Sequence, residues 1–257
     1  MDRKYMFFDI DGTLTDEKTK KIVPSALKAI RELEDNGHFV CIATGRAHYK
    51  AVNFAREIGV KNLVCSGGGA LVVNDKLIYN EPLDNKKAKA IIKEAEDLGI
   101  GILLMLDDSI DVYSKNDLFV QQVGKRQEPT NYIYDENLDY DSLDKIYKIY
   151  LSISSKDEDK LTLKDTLGSL RYVKEYLMFQ YDAKDIGIKR MIKEVGGEDK
   201  DVFVFGDDVN DLVMFKEEWT SIALGNAKQE LKDKASYVTD LNINDGIYKA
   251  CKKYKLI

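Results

Sequence analysis

Basic charge, cysteine and long apolar runs are all scarce in this 257-residue sequence, and each scarcity closes off a class of protein. Lys and Arg number 39 against 45 Asp and Glu, a formal net charge of −6, whereas proteins that neutralise phosphate backbones present a net basic surface. Nucleic acid is therefore not an expected partner. Cys41, Cys65 and Cys251 are odd in number and widely spaced, which excludes a full disulfide framework and lacks zinc-ligand spacing. Buried, reduced thiols of a cytoplasmic protein are the expectation. No apolar run approaches the ~18 residues of a membrane-spanning helix, so a membrane is not an expected partner either. The start, Met1-Asp2-Arg3-Lys4-Tyr5, leads into a short apolar stretch that ends at an acid, with no signal-peptide core. Prolines number only three, yet 44% hydrophobic and 10% aromatic residues are ample to fill a core, which argues against disorder. The length fits one large domain or two smaller ones.

What is present falls into two patterns. The first third alternates strand and helix. Tyr5-Met6-Phe7-Phe8 reads as a buried strand ending at Asp9, and Pro24 opens a helix with Leu27, Ile30 and Leu33 on one face. Residues 39–43 form a second strand ending at Thr44-Gly45, a helix closes at Gly59, and residues 63–65 form a third strand followed by a hairpin around Asn74-Asp75-Lys76. The last seventy or so residues return to this rhythm, with Ile188, Met191, Ile192 and Val195 on one helical face and a strand at residues 202–205 ending at Gly206-Asp207. Such alternation predicts a doubly wound, Rossmann-like α/β core: a parallel sheet with helices on both faces. The middle reads as a smaller α+β insertion that holds nine of the fifteen tyrosines. The expected division is residues 1–81 and 187–257 for the core and 82–186 for the insertion. Between Pro82 and Asp185 there are 21 acids and 15 bases, so the whole net charge lies in the middle of the chain.

The chemistry-bearing residues sit at strand ends. Asp9-Ile10-Asp11-Gly12-Thr13 places two acids at the carboxyl end of a buried strand, where doubly wound sheets bind their ligands. A calcium loop is excluded, because the glycine comes too early and no Glu follows at the twelfth position. Taken alone, Thr44-Gly45 would serve as a helix N-cap, Lys189 as one solvated base among many, and Asp208 as a loop residue. Ser66-Gly67-Gly68-Gly69 lacks the order of a dinucleotide-binding loop and reads as a turn. His38 and His48 have no metal-site or nucleophile partner and read as structural or surface residues.

In combination these motifs resemble the haloacid dehalogenase superfamily, whose phosphatases use an aspartate nucleophile. Asp9-Ile10-Asp11-Gly12-Thr13 is similar to its first motif, Ala43-Thr44-Gly45-Arg46 to the second motif of the Cof-type branch (subclass IIB, with a C2B cap), and Lys189 to the third-motif lysine. Gly206-Asp207-Asp208-Val209-Asn210-Asp211 matches the fourth, and Ala223-Leu224-Gly225-Asn226-Ala227 also resembles that branch. Two departures stand out: Gly68-Gly69-Ala70 where the family usually has Asn-Gly-Ala, and Arg190 where a glycine usually follows the lysine. The resemblance implies a Mg²⁺-dependent phosphatase of small phosphorylated metabolites with an inserted cap. Asp9 would attack phosphorus and become an aspartyl-phosphate, splitting one hard step into two. Asp11 would protonate the leaving alcohol and then deprotonate water, which calls for a pKa raised by the neighbouring carboxylate. Thr44, Gly45, Lys189 and Asn210 would hold or neutralise the phosphate. Asp9, Asp207 and the Asp11 backbone carbonyl would hold the metal, with Asp211 ordering a metal-bound water. Arg46 is expected to pair with an acid near the hinge rather than to touch substrate. Alternatives are a hexose phosphomutase of the phosphomannomutase type, or a catalytically idle sugar-phosphate-binding protein. The acidic insertion is expected to disfavour polyanionic substrates. The oligomeric state and the identity of the substrate are not readable.

Overall fold

A computed structural model describes residues 2–171 and 173–257. Met1, the first residue of the N-terminal reading, and Tyr172, one of the nine tyrosines of the middle segment, lie outside the described residues. The chain divides into two compact units, one formed by the chain up to Asn80 together with Ala183–Ile257, the other by Glu81–Asp182. The second crossing thus precedes the expected boundary at 186/187, because the helix containing Gly187 begins at Lys184 and belongs wholly to the first unit.

The first unit begins with β1 (Tyr5–Phe8), α1 (Pro24–Asp35), β2 (Phe39–Ala43), α2 (His48–Ile58), β3 (Leu63–Cys65), β4 (Ala70–Val73) and β5 (Lys76–Asn80). All four residues of β1 and all five of β2 are buried, as expected for parallel strands covered on both faces. The alternation of β1 divides the core in two. Met6 and Phe8 pack with Ala29, Ile30 and Leu33 of α1 and with Ala51 and Ala55 of α2, while Tyr5 and Phe7 face the opposite side. Helix α1 opens at Pro24, whose fixed φ suits the first turn, and α2 stops where Gly59 adopts φ +83°.

The second unit contributes α3 (Asn85–Asp97), β6 (Ile102–Met105), β7 (Asp111–Ser114), α4 (Leu118–Val123), β8 (Asn131–Tyr134), β9 (Lys148–Leu151), β10 (Ser169–Leu170) and β11 (Leu177–Phe179). These strands form one sheet in the order β10-β11-β9-β6-β7-β8, antiparallel except for the β7–β8 pair. Ala88, Ile91, Ile92 and Ala95 recur at helical spacing along α3 and bury against Ile102, Leu104, Ile149, Leu151, Leu177 and Phe179 of that sheet. With Glu81–Asp182 as its bounds, this unit holds 21 acids against 14 bases, and the rest of the chain 24 against 25.

The first unit is completed by α5 (Lys184–Val195), β12 (Val202–Gly206), β13 (Thr220–Ala223), α6 (Gln229–Lys234), β14 (Tyr237–Val238) and α7 (Gly246–Lys253). Its sheet runs β14-β13-β12-β1-β2-β3-β4-β5, parallel from β14 to β3 and antiparallel through the β3-β4-β5 meander. Helices α1, α2 and α7 cover one face, and Ile188, Met191 and Ile192 of α5 with Leu231 of α6 cover the other. A doubly wound core is what the alternating sequence predicts. The chain leaves β1 for β2 on one side and returns through β12 on the other, so the carboxyl end of β1 lies at the switch point where such sheets accept ligands.

The small residues of the opening inventory have ordinary places. All three cysteines are buried free thiols. His38 is structural: its Nδ1 accepts from the Lys4 N–H at 3.0 Å, which leaves Nε2 to donate to the Leu256 carbonyl at 3.2 Å. No helix among the described residues is long and apolar enough to cross a membrane.

Candidate active site

Three carboxylates converge at the ends of β1 and β12. Asp9 follows β1 directly, Asp207 follows β12, and Asp211 lies in the short 3-10 turn Val209–Met214. Each offers an oxygen within 4.8 Å of the others, and all three residues are buried. Local chemistry fixes the turn. The Asp208 carboxylate caps it by accepting from the Val209 N–H at 2.8 Å, and Asp211 Oδ2 accepts from the backbone N–H of Asp207 (2.9 Å) and Asp208 (3.2 Å). Asp208 is therefore the loop residue expected of it.

An ammonium group bridges two of these carboxylates, and it belongs to Lys184. Its Nζ donates to Asp9 Oδ1 at 2.8 Å and to Asp211 Oδ1 at 2.6 Å, and its side chain is 2% exposed. Burial opposes its charge, but Asp211 and Asp9 more than offset that and hold it protonated above the ordinary lysine range. The sequence expectation of Lys189 is thereby corrected. Lys189 pairs with Glu218 at 2.8 Å and is 50% exposed, one residue off the buried face of α5. The signal for Lys184 was in the periodicity: it lies four residues before Ile188 and seven before Met191, on the apolar face itself, where an unpaired lysine would be prohibitive. The departure noted at Arg190 consequently has no bearing on the lysine.

Lys184 is seated by the turn at residues 66–69. Gly67 accepts from the Ala183 N–H at 2.9 Å, and Gly68 adopts φ +100° with its Cα so close to α5 that a Cβ would lie 2.1 Å from the Ala183 carbonyl oxygen. Gly12 plays the matching part beside β1. It has φ +85°, and a Cβ there would lie 2.1 Å from Asp207 Oδ2. Thr13 donates its hydroxyl to Asp207 Oδ1 at 2.7 Å, a partner that sequence reasoning did not single out.

The electrostatics of the carboxylates follow from burial. Desolvation pushes Asp9 up to about 7, with Lys184 pulling down and Asp211 pushing up. Asp207 is pushed up to about 8, again first by burial and then by Asp9 and Asp211. Two buried carboxylates with this reluctance to ionise, in hard-oxygen surroundings, fit a divalent cation, whose charge would replace the protons they otherwise favour. Asp211 differs from them. Both its oxygens already accept hydrogen bonds, which suits it to holding Lys184 and the β12 turn rather than to direct coordination.

Asp11 departs from expectation. Its carboxylate is half-exposed and gripped by Arg46, which donates from Nε to Oδ2 at 2.9 Å and from a terminal nitrogen to Oδ1 at 2.7 Å. Burial pushes its pKa up, but the Arg46 hydrogen bonds and charge prevail and hold it below the usual carboxylate range. The expected raised pKa is not found, because the nearest strong partner is a guanidinium rather than the Asp9 carboxylate. Arg46 does pair with an acid, as expected, but with this one. Thr44 is buried just beyond β2; its hydroxyl accepts from the Arg46 N–H at 3.2 Å, and α2 starts only at His48, so Thr44 is no helix cap. Gly45 and Asn210 are half-buried, the first beside Thr44 and the second in the Val209–Met214 turn.

Comparison with known proteins agrees with this geometry. The model of the haloacid dehalogenase-like hydrolases matches residues 6–251. The chain belongs to this family. Within it, YkrA of Bacillus subtilis (strain 168) is 29% identical over 100% of both chains. A phosphoglycolate phosphatase of Methanobrevibacter smithii is 27% identical, over 96% of this chain and 97% of its own. Among solved structures, the subclass IIB sugar phosphatase BT4131 superposes with a TM-score of 0.79 at 25% identity, covering 99% of this chain and 100% of the other. The family assignment and the Cof-type, subclass IIB resemblance read from the motifs are borne out.

Proposed function

We propose that this hydrolase is a Mg²⁺-dependent phosphatase that cleaves phosphate monoesters of small metabolites through an aspartyl-phosphate at Asp9. The observation that carries the reading is the Lys184 bridge. A buried ammonium holds Asp9 Oδ1 at the carboxyl end of the central strand while Asp207 stands beside it. An anionic nucleophile can meet an anionic ester only where positive charge offsets the repulsion, and this cluster gathers that charge in one buried place. Asp9, Asp207 and the Asp11 backbone carbonyl would hold the cation, which supplies charge neutralisation for the phosphoryl group.

In the first half-reaction an Asp9 oxygen forms a bond to phosphorus, the ester P–O bond breaks, and Asp11 gives the departing alkoxide a proton. In the second, Asp11 takes a proton from water, the water oxygen bonds to phosphorus, and the acyl-phosphate bond breaks to free phosphate and regenerate the Asp9 carboxylate. Held ionised by Arg46, Asp11 is set for the base half; the acid half requires that Arg46 release it. Thr44, Gly45 and Asn210 would bind phosphate oxygens, with Lys184 taking the part first expected of Lys189. The inserted unit, at 21 acids against 14 bases, would select the leaving group and disfavour polyanions.

Release of phosphate from p-nitrophenyl phosphate with Mg²⁺, blocked by EDTA and abolished in Asp9→Asn, is the expected result. Turnover by Asp9→Asn at the unmodified rate would overturn the reading. Conversion of a hexose 1-phosphate into a 6-phosphate without free phosphate would favour a mutase, and binding without any turnover an idle sensor.

A further inference from the structure

The loop that follows β13 grips the loops after both of the strands that lead to the acidic cluster. Asn226 Nδ2 donates to the Gly12 carbonyl at 2.8 Å, and two residues later the Lys228 N–H donates to the Asp207 carbonyl, also at 2.8 Å. Asn226 is itself held from behind. Its Oδ1 accepts from the Asn242 N–H at 3.1 Å, and the buried Asn242 amide donates to the Thr15 carbonyl at 2.9 Å. Both ends of the turn from Gly12 to Thr15 are therefore fastened to one clamp. Inside the clamp the Asp207 carboxylate rests against Gly12, in the space a Cβ would fill, and is pinned by the Thr13 hydroxyl. Any shift of Gly12 toward or away from β12 must move that carboxylate relative to Asp9, three residues earlier in the chain.

We propose that Asn226 is a positioning residue that sets the spacing of the Asp9 and Asp207 carboxylates, and through it the affinity of the site for a divalent cation. This rests on the reading that these two carboxylates hold the cation. A hard ion demands its donor oxygens at fixed distances, and side chains that orient such donors cost about 10–100-fold in metal affinity when removed. Asn62, just before β3 and at the amino end of β2 in the same sheet, provides a matched control. Its Nδ2 donates to the Val40 carbonyl at 3.0 Å and its Oδ1 accepts from the Asn74 N–H at 3.0 Å, so it is a two-bond amide clamp remote from the cluster.

The test is Mn²⁺ binding to the full chain, followed by electron paramagnetic resonance without substrate. Asn226→Ala is expected to bind Mn²⁺ roughly 10-fold more weakly than the unmodified chain, whereas Asn62→Ala binds as the unmodified chain does while losing similar thermal stability. Asn226→Asp sharpens the sign and carries the test if the alanine variant does not fold. It keeps the acceptor for Asn242 but sets an oxygen against the Gly12 carbonyl, so the clamp predicts weaker binding where added negative charge alone would tighten it. Unmodified affinity in the Asn226 variants, tighter binding by Asn226→Asp, or equal weakening by Asn62→Ala would overturn the proposal. An unmodified chain that takes up no Mn²⁺ would overturn the metal reading itself, and the clamp's role with it.

Discussion

Replacing Lys184 tests the balance of the whole cluster. In Lys184→Met a chain of similar length loses its charge, and Asp9 and Asp211 keep their buried positions without the ammonium that held both. Breaking a buried pair from one side costs about 3–5 kcal/mol of stability, since the abandoned charge stays out of water. Asp9, already pushed up to about 7 with Lys184 pulling it down, would rise further and spend most of its time protonated at neutral pH, useless as a nucleophile. Loss of a preorganised charge at a transition state adds about 10²–10³-fold in rate. The assay pairs urea denaturation with p-nitrophenyl phosphate turnover, and Lys189→Ala is the companion variant. Its solvent-screened pair with Glu218 is expected to matter to neither measurement. Activity lost in Lys189→Ala and kept in Lys184→Met would refute the electrostatic reasoning.

Two further outcomes follow from the same charges. Asp9 and Asp207 bind protons more tightly folded, at about 7 and about 8, than an ordinary aspartate at 3.8, so their protonation stabilises the fold at low pH and that contribution is lost as pH rises through those values. In EDTA the melting temperature should therefore fall between about pH 5 and about pH 8, and Mg²⁺ should raise it more at the higher pH; a flat profile, or a larger Mg²⁺ effect at the lower pH, would contradict this. In Arg46→Met, Asp11 loses the partner that depresses its pKa, so the alkaline limb of the turnover profile should move to higher pH; an unmoved limb would show that Asp11 is not the acid.

Much of the core was legible because it is regular. Parallel strands covered on both faces must be apolar throughout, so β1, β2 and β12 stand out as unbroken runs that end at an acid or at Thr44. The inserted unit hid more. β8 is half-exposed, β10 spans two residues and β11 three, too short for any period to show, and they owe their existence to pairing with neighbouring strands of the sheet. At the site, Asp9 and Asp207 stood out at strand ends, and Asp211 entered through the resemblance of its motif, but the lysine was misplaced. Placing the helix start after Gly187 made Lys189 the match to the third-motif lysine, whereas the helix begins at Lys184, on the face that contains Ile188, Met191 and Ile192. The Arg46 grip on Asp11 was hidden because it joins loops after two different strands, a relation fixed only by the sheet register.

The central claim is that Asp9 carries the phosphoryl group, and trapping that bond tests it most directly. Enzyme mixed with a phosphate ester and Mg²⁺, quenched, reduced with borohydride and digested should show reduction of the Asp9 side chain, and of no other acid, because borohydride reduces an acyl phosphate but spares a free carboxylate. Reduction at Asp11, Asp207 or Asp211 instead, or turnover with Asp9 left unreduced throughout, would contradict the account.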